Sequence, residues 1–75
     1  MNNKRREKIA GSIKLLENVK NTLQEVLDEE QLAFDNMPEN LQYSIRGEEA
    51  QEAIDYISEA IECLDNAVEQ LESIN

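Results

Sequence analysis

Histidine is absent from this 75-residue chain, and cysteine and proline each occur once. Without histidine the commonest general base is missing, and Ser–His or Cys–His nucleophiles cannot be built. One cysteine closes no disulfide within the chain, and no Cys/His cluster for zinc can be assembled. No apolar run approaches the ~20 residues that span a bilayer. The basic start Lys4-Arg5-Arg6 leads into Glu7-Lys8-Ile9-Ala10-Gly11-Ser12-Ile13-Lys14, which charge interrupts and which is no signal core. Bases are scarce: seven Lys and Arg stand against seventeen Asp and Glu, for a net charge of −10. Such a charge disfavours direct nucleic-acid binding. These absences predict a non-enzymatic, cytoplasmic protein with no cofactor, no specific metal site and no membrane segment.

A chain this short forms one domain at most. Alone it buries only roughly 60% of its unfolded surface. Small scaffolds are reinforced by disulfides, metals or oligomerisation, and only the last fits this composition.

What is present is helical periodicity. Advancing 100° per residue, the apolar residues from Ile9 to Phe34 form one stripe about 160° wide. The stripe holds Ile13, Leu15, Leu16, Val19, Leu23, Val26, Leu27 and Ala33, and only Leu32 lies well off it. This predicts a helix over about 4–34, capped by Asn2 or Asn3. Further along, Ile54, Ile61 and Val68 recur every seventh residue, joined three residues later by Ile57, Leu64 and Leu71. These are the a and d positions of a heptad repeat. Ala53, Ala60 and Ala67 form a parallel series one residue earlier, and Tyr56 and Cys63 lie just beyond it. A second helix is predicted over about 47–74.

The intervening loop, about 35–46, contains Pro38. Proline disfavours helix at Met37 and suits the start of a short turn, Pro38–Leu41. Ser44 is the expected cap of the second helix, with Gly47 as the alternative. The loop carries Met37, Leu41, Tyr43 and Ile45, more apolar residues than a spacer needs. It is expected to be ordered and folded over the end of the helices.

The whole chain, 1–75, therefore reads as a single all-α domain, an antiparallel helical hairpin. Both apolar stripes are wider than one hairpin can cover. The expected closure is a homodimer forming a four-helix bundle, or a higher helical oligomer, with Ile54, Ile57, Ile61, Leu64, Val68 and Leu71 in its core.

The charge is unevenly laid out. Residues 1–20 hold six bases and two acids, a net +4. Residues 21–52 hold nine acids and one base, Arg46, a net −8, and residues 53–75 hold six acids and no base. An antiparallel hairpin places the basic start beside the acidic C-terminal half. The loop end has no such compensation. Its acids are either a solvated surface or a surface for a basic partner.

Adjacent carboxylates, Asp28-Glu29-Glu30 and Glu48-Glu49, lack the cleft that acid catalysis needs. Cys63 reads as a small buried hydrophobe. Arg46 is the most informative single residue. With Asn40, Tyr43 and Ser44 beside it, it either ties the loop to Asp35, Glu48 or Glu49, or grips a carboxylate or phosphate of a ligand. In an oligomer, two such loops could meet in a shared pocket.

The stretch Asp35-Asn36-Met37-Pro38-Glu39-Asn40-Leu41-Gln42, followed by Ser44 and Arg46-Gly47-Glu48, resembles a group of small acidic proteins from phages and prophages of Gram-positive bacteria. The basic start and the Ala53-Ile54-Asp55 and Ala60-Ile61 repeats are similar too. The resemblance implies a mobile-element accessory protein in a bacterial host cell, and it carries no catalytic residue. The expected function is binding, with a host or phage protein as partner and inhibition of a host defence protein as the concrete form. Asn40, Tyr43, Ser44 and Arg46 would make the contacts, and Met37, Leu41 and Ile45 would anchor them. The alternatives are a sponge for a small nucleotide immune signal held at Arg46, an acidic DNA mimic, and a structural or scaffold component.

Overall fold

The computed structural model describes residues 1–74. Helix α1 spans Asn3–Asp35, a short helix α2 spans Glu39–Gln42, and helix α3 spans Ile45–Glu72. The side chain of Asn2 caps α1, its Oδ1 accepting from the N–H of Arg5 at 2.9 Å. At the other end the N–H groups of Asn36 and Met37 close back onto the carbonyls of Leu32 and Phe34. Pro38, which has no N–H to continue the helix, follows at once.

Helix α3 starts at Ile45, earlier than the expected 47, because Ser44 caps it. The Ser44 hydroxyl accepts from the N–H of Gly47 at 3.4 Å. The helix stops at Glu72, short of the expected 74, with the Ser73 hydroxyl turned back onto the carbonyl of Glu69. Within the loop, Pro38 is the cap of α2 rather than its first residue. Its carbonyl accepts from the N–H groups of Leu41 and Gln42 at 2.8 and 3.1 Å.

Helices α1 and α3 lie antiparallel and pack along their length. The half-buried residues of α1 are Ile9, Ile13, Leu16, Lys20, Leu23, Leu27, Glu30 and Phe34. They alternate steps of four and three. Most covered residues of α3 follow the same rhythm, Gly47, Ala50, Ile54, Ile57, Ile61, Leu64, Val68 and Leu71, and Ala53 and Ala67 at the seam's edge are half-buried too. This is the a/d seam of an antiparallel coiled coil. The Lys20–Asp65 ion pair, at 2.8 Å, sets the register. Counting from it in opposite directions brings Leu23 opposite Ile61 and Leu27 opposite Ile57.

The seam is narrow. Among the described residues only Ala50, Ile54 and Val68 are buried apolar side chains. The molecule measures 58 × 15 × 13 Å, and its radius of gyration is 17.1 Å. A compact chain of this length would have roughly 11 Å. The six a/d residues of α3 expected in an oligomer core thus line the seam inside one chain. The rest of the broad stripe on α1 is left outside it: Leu15 is 67% exposed, Val19 49% and Val26 40%.

Candidate functional site

The loop end is built by three local devices. The side-chain amide of Gln42 donates to the carbonyls of Phe34 and Met37 at 3.1 and 3.3 Å, which clips α2 to the end of α1. The Ser44 hydroxyl donates to the carbonyl of Leu41 while it caps α3. Gly47 is buried in the first turn of α3, directly against the α2 backbone. A Cβ there would overlap the carbonyl group of Gln42 and lie 2.6 Å from the carbonyl oxygen of Leu41. Sequence reasoning took Gly47 only as an alternative cap. Its role is close approach, with no positive φ involved. The available signal was its position, one heptad before Ile54 in the seam.

On this frame the loop turns several side chains outward. Tyr43 is 80% exposed and Ile45 74% exposed. Asn40, Leu41 and Arg46 are exposed as well, whereas Met37 and Ser44 are half-buried. The Arg46 side chain forms no ion pair or hydrogen bond with the described residues, so the first of its two readings, a tie to Asp35, Glu48 or Glu49, is not made. The structure thus gathers Asn40, Leu41, Tyr43, Ile45 and Arg46 at one end of the rod, beside the exposed acids Glu39, Glu48 and Glu49. No cavity opens there or elsewhere among the described residues.

Comparison of the chain with protein-family models, with curated proteins and with solved structures finds no match.

The second surface runs along the rod. Residues that precede a seam position fall on the same side of both helices, because the helices share one hand and run in opposite directions. On α1 these are Leu15, Val19, Val26 and Ala33, and on α3 they are Ala53, Tyr56, Ala60, Cys63 and Ala67. Residues that follow the seam fall on the opposite side, and they are mostly polar: Glu17, Gln24 and Gln31 face Gln51, Ser58, Asp65 and Glu72. Lys20 reaches Asp65 on that polar side. This pair holds the Lys20 ammonium above its ordinary pKa, first through the hydrogen bond and then through the carboxylate charge. The hairpin is thus two-sided, with an apolar side made mainly of branched residues on α1 and of alanines with Tyr56 and Cys63 on α3.

Cys63 belongs to this apolar side and is exposed, contrary to its expected burial. It precedes Leu64 of the seam by one residue, which turns it about 100° away from α1. Among the described residues no group of acids and cysteine is arranged to hold a metal ion. No helix is long and apolar enough to cross a membrane.

Proposed function

We propose that this protein is a non-enzymatic binding module. In this reading it works as a homodimeric four-helix bundle and contacts another protein through its loop ends. The observation that carries the reading is the display of Tyr43 and Ile45. Both are exposed on a loop that a clip, a cap and a close backbone contact hold in place. An aromatic and a branched aliphatic side chain on a rigid frame are the anchors that concentrate binding energy. The surrounding acids Glu39, Glu48 and Glu49 steer a partner with a basic rim, and the unpaired Arg46 offers one fork for a carboxylate or phosphate.

Dimerisation is supported by the uncovered apolar side, whose small alanines let a second backbone approach. In the setting implied by the loop resemblance, the partner is a protein of the bacterial host, and blocking it is the protein's action.

The test compares wild type with the Tyr43→Ala/Ile45→Ala double variant as baits in host lysate. A protein recovered by wild type and lost by a variant of unchanged helicity and sedimentation supports the reading. Equal recovery by both baits, or recovery by neither, retires the loop end as a contact surface.

A further inference from the structure

The apolar side carries charge at its two ends, and the two ends are opposite in sign. At the terminal end it begins with Arg5 and Lys8, one heptad before Ser12 and Leu15. At the loop end it finishes with Glu29 of α1 and Glu49 of α3, with Arg46, one residue before Gly47, as the single base among these acids. Lys8, Glu29 and Glu49 each stand one residue before a seam position, and Arg5 holds the matching place in the heptad before Ser12, so all four lie on the apolar side.

The same polarity holds for the whole rod. Cut at the level of Lys20, the terminal half (residues 1–20 and 65–75) holds six bases and five acids. The loop half, residues 21–64, holds twelve acids and one base, a net −11.

The helices are also staggered. In the Lys20–Asp65 register, α1 runs nearly three turns past the end of α3, and residues 1–8 are all exposed. At the other end α1 finishes with Asp35 and no base in its last turn, an unfavourable sign at the negative end of the helix dipole.

We infer that two copies pair through the apolar side in antiparallel orientation, α1 on α1 and α3 on α3. The basic overhang of each copy then lies over the acidic loop end of the other. The inference rests on the homodimer reading above and adds to it the orientation and the contacts. A two-fold interface must be self-complementary, and this side is so only when one copy is reversed. Arg5 and Lys8 then meet Glu29 and Glu49 twice over, and the base-free end of each α1 receives cations from its partner. The apolar patch, Leu15–Ala33 on α1 and Ala53–Ala67 on α3, is centred near the level of Gln24, about five residues toward the loop end from Val19, so charge-matched reversed copies share its part nearer the middle of the rod, around Leu15, Val19 and Ala67. The whole rod is 58 Å long and 15 Å wide, so a flank of it is at most close to the ~800 Å² per partner of a standard interface. The parallel alternative would set two loop halves of net −11 side by side.

One consequence is functional. Antiparallel pairing puts the two loop ends at opposite poles of the dimer. Arg46 of one copy is then far from Arg46 of the other, so no pocket is shared between loops. The dimer presents two separate contact sites, and a partner with two copies of the recognised feature binds with increased avidity.

The test measures distances between spin labels in the dimer, after sedimentation has established that the labelled protein is dimeric. One sample is labelled at the native Cys63, near the centre. The other is labelled at Asn40→Cys in a Cys63→Ser background, at the tip; both positions are exposed in the hairpin, and because Cys63 lies on the proposed dimer side, the tip pair decides the orientation. The expected result is a separation of about 55 Å between the tip labels, from ~1.5 Å of rise per residue. The central labels should lie within about 20 Å, two helix diameters. Tip labels within about 25 Å of each other would overturn the antiparallel orientation while leaving a dimer. A monomer at micromolar concentration would instead overturn the dimer reading, and this inference with it.

Discussion

Gly11 and Gly47 show how far a residue's meaning depends on what lies against it. Both stand inside helices, where alanine is favoured over glycine by about 1 kcal/mol. A Cβ at Gly11 meets nothing within 4 Å, whereas one at Gly47 runs into the backbone of Leu41 and Gln42. Gly11→Ala should therefore stabilise the protein by about 1 kcal/mol. Gly47→Ala should destabilise it by roughly 1–3 kcal/mol, the usual cost of overpacking. Thermal melts of the two variants against wild type check both signs. Lys20 gives a prediction in pH. Its folded-state pKa lies above its ordinary value of 10.5, raised by Asp65. The stability this contributes is fully present below that value and is lost as pH rises through the raised one. Between pH 8 and pH 11 the melting temperature of wild type should therefore fall further than that of Lys20→Met. Parallel falls in the two proteins would show that the pair does not contribute.

At the scale of the element, the helices and the a/d face of α3 were legible in the sequence, and which part of the α1 stripe faces α3 was not. Periodicity places Ile9, Leu16, Leu23, Leu27 and Phe34 on one stripe with Leu15, Val19 and Val26, and nothing in hydropathy separates the two groups. The separation comes from the width of a two-helix seam, which admits Lys20 and Glu30 at half burial and leaves Val19 about half exposed. The capping residues Asn2 and Ser44 were readable because their chemistry is local. The Gln42 clip was not, since it joins groups across a turn whose path the sequence does not specify. Cys63 was misplaced because one residue of offset from the seam decides its exposure. In the proposed dimer, Val19→Glu separates the two kinds of apolar residue by experiment. Val19 is exposed enough in the single hairpin for the change to stay within about 0.5 kcal/mol of wild-type folding stability. In the dimer it buries two carboxylates at the centre. Circular dichroism should remain helical while sedimentation shifts from dimer to monomer. Dimers that persist unchanged would place the interface elsewhere.

For the whole molecule, a net charge of −10 is a poor description of what a second copy meets. Twelve of the seventeen acids lie in the loop half with a single base, while six of the seven bases lie in the terminal half. At a physiological ionic strength charges more than ~8 Å apart are largely screened, so local pairs between the ends outweigh the mutual repulsion of two acidic rods. Arg5→Glu/Lys8→Glu tests this without harming the fold, because carboxylates near the start of α1 suit the positive end of its dipole. Each exposed pair contributes about 0.2–1 kcal/mol, and the substitution turns such pairs repulsive at both ends of the dimer. Dissociation should therefore become about tenfold or more easier, since ~1.4 kcal/mol is a factor of ten in Kd. Adding Glu29→Lys/Glu49→Lys to the same chain returns the net charge to −10 and restores opposite signs across an antiparallel interface, with the polarity exchanged. Sedimentation equilibrium should then give back most of the lost affinity. A parallel dimer predicts no such recovery, because its loop ends meet each other and its basic ends never face Glu29 or Glu49. Recovery at unchanged net charge would attribute the association to the placement of the charges along the rod, and not to their total.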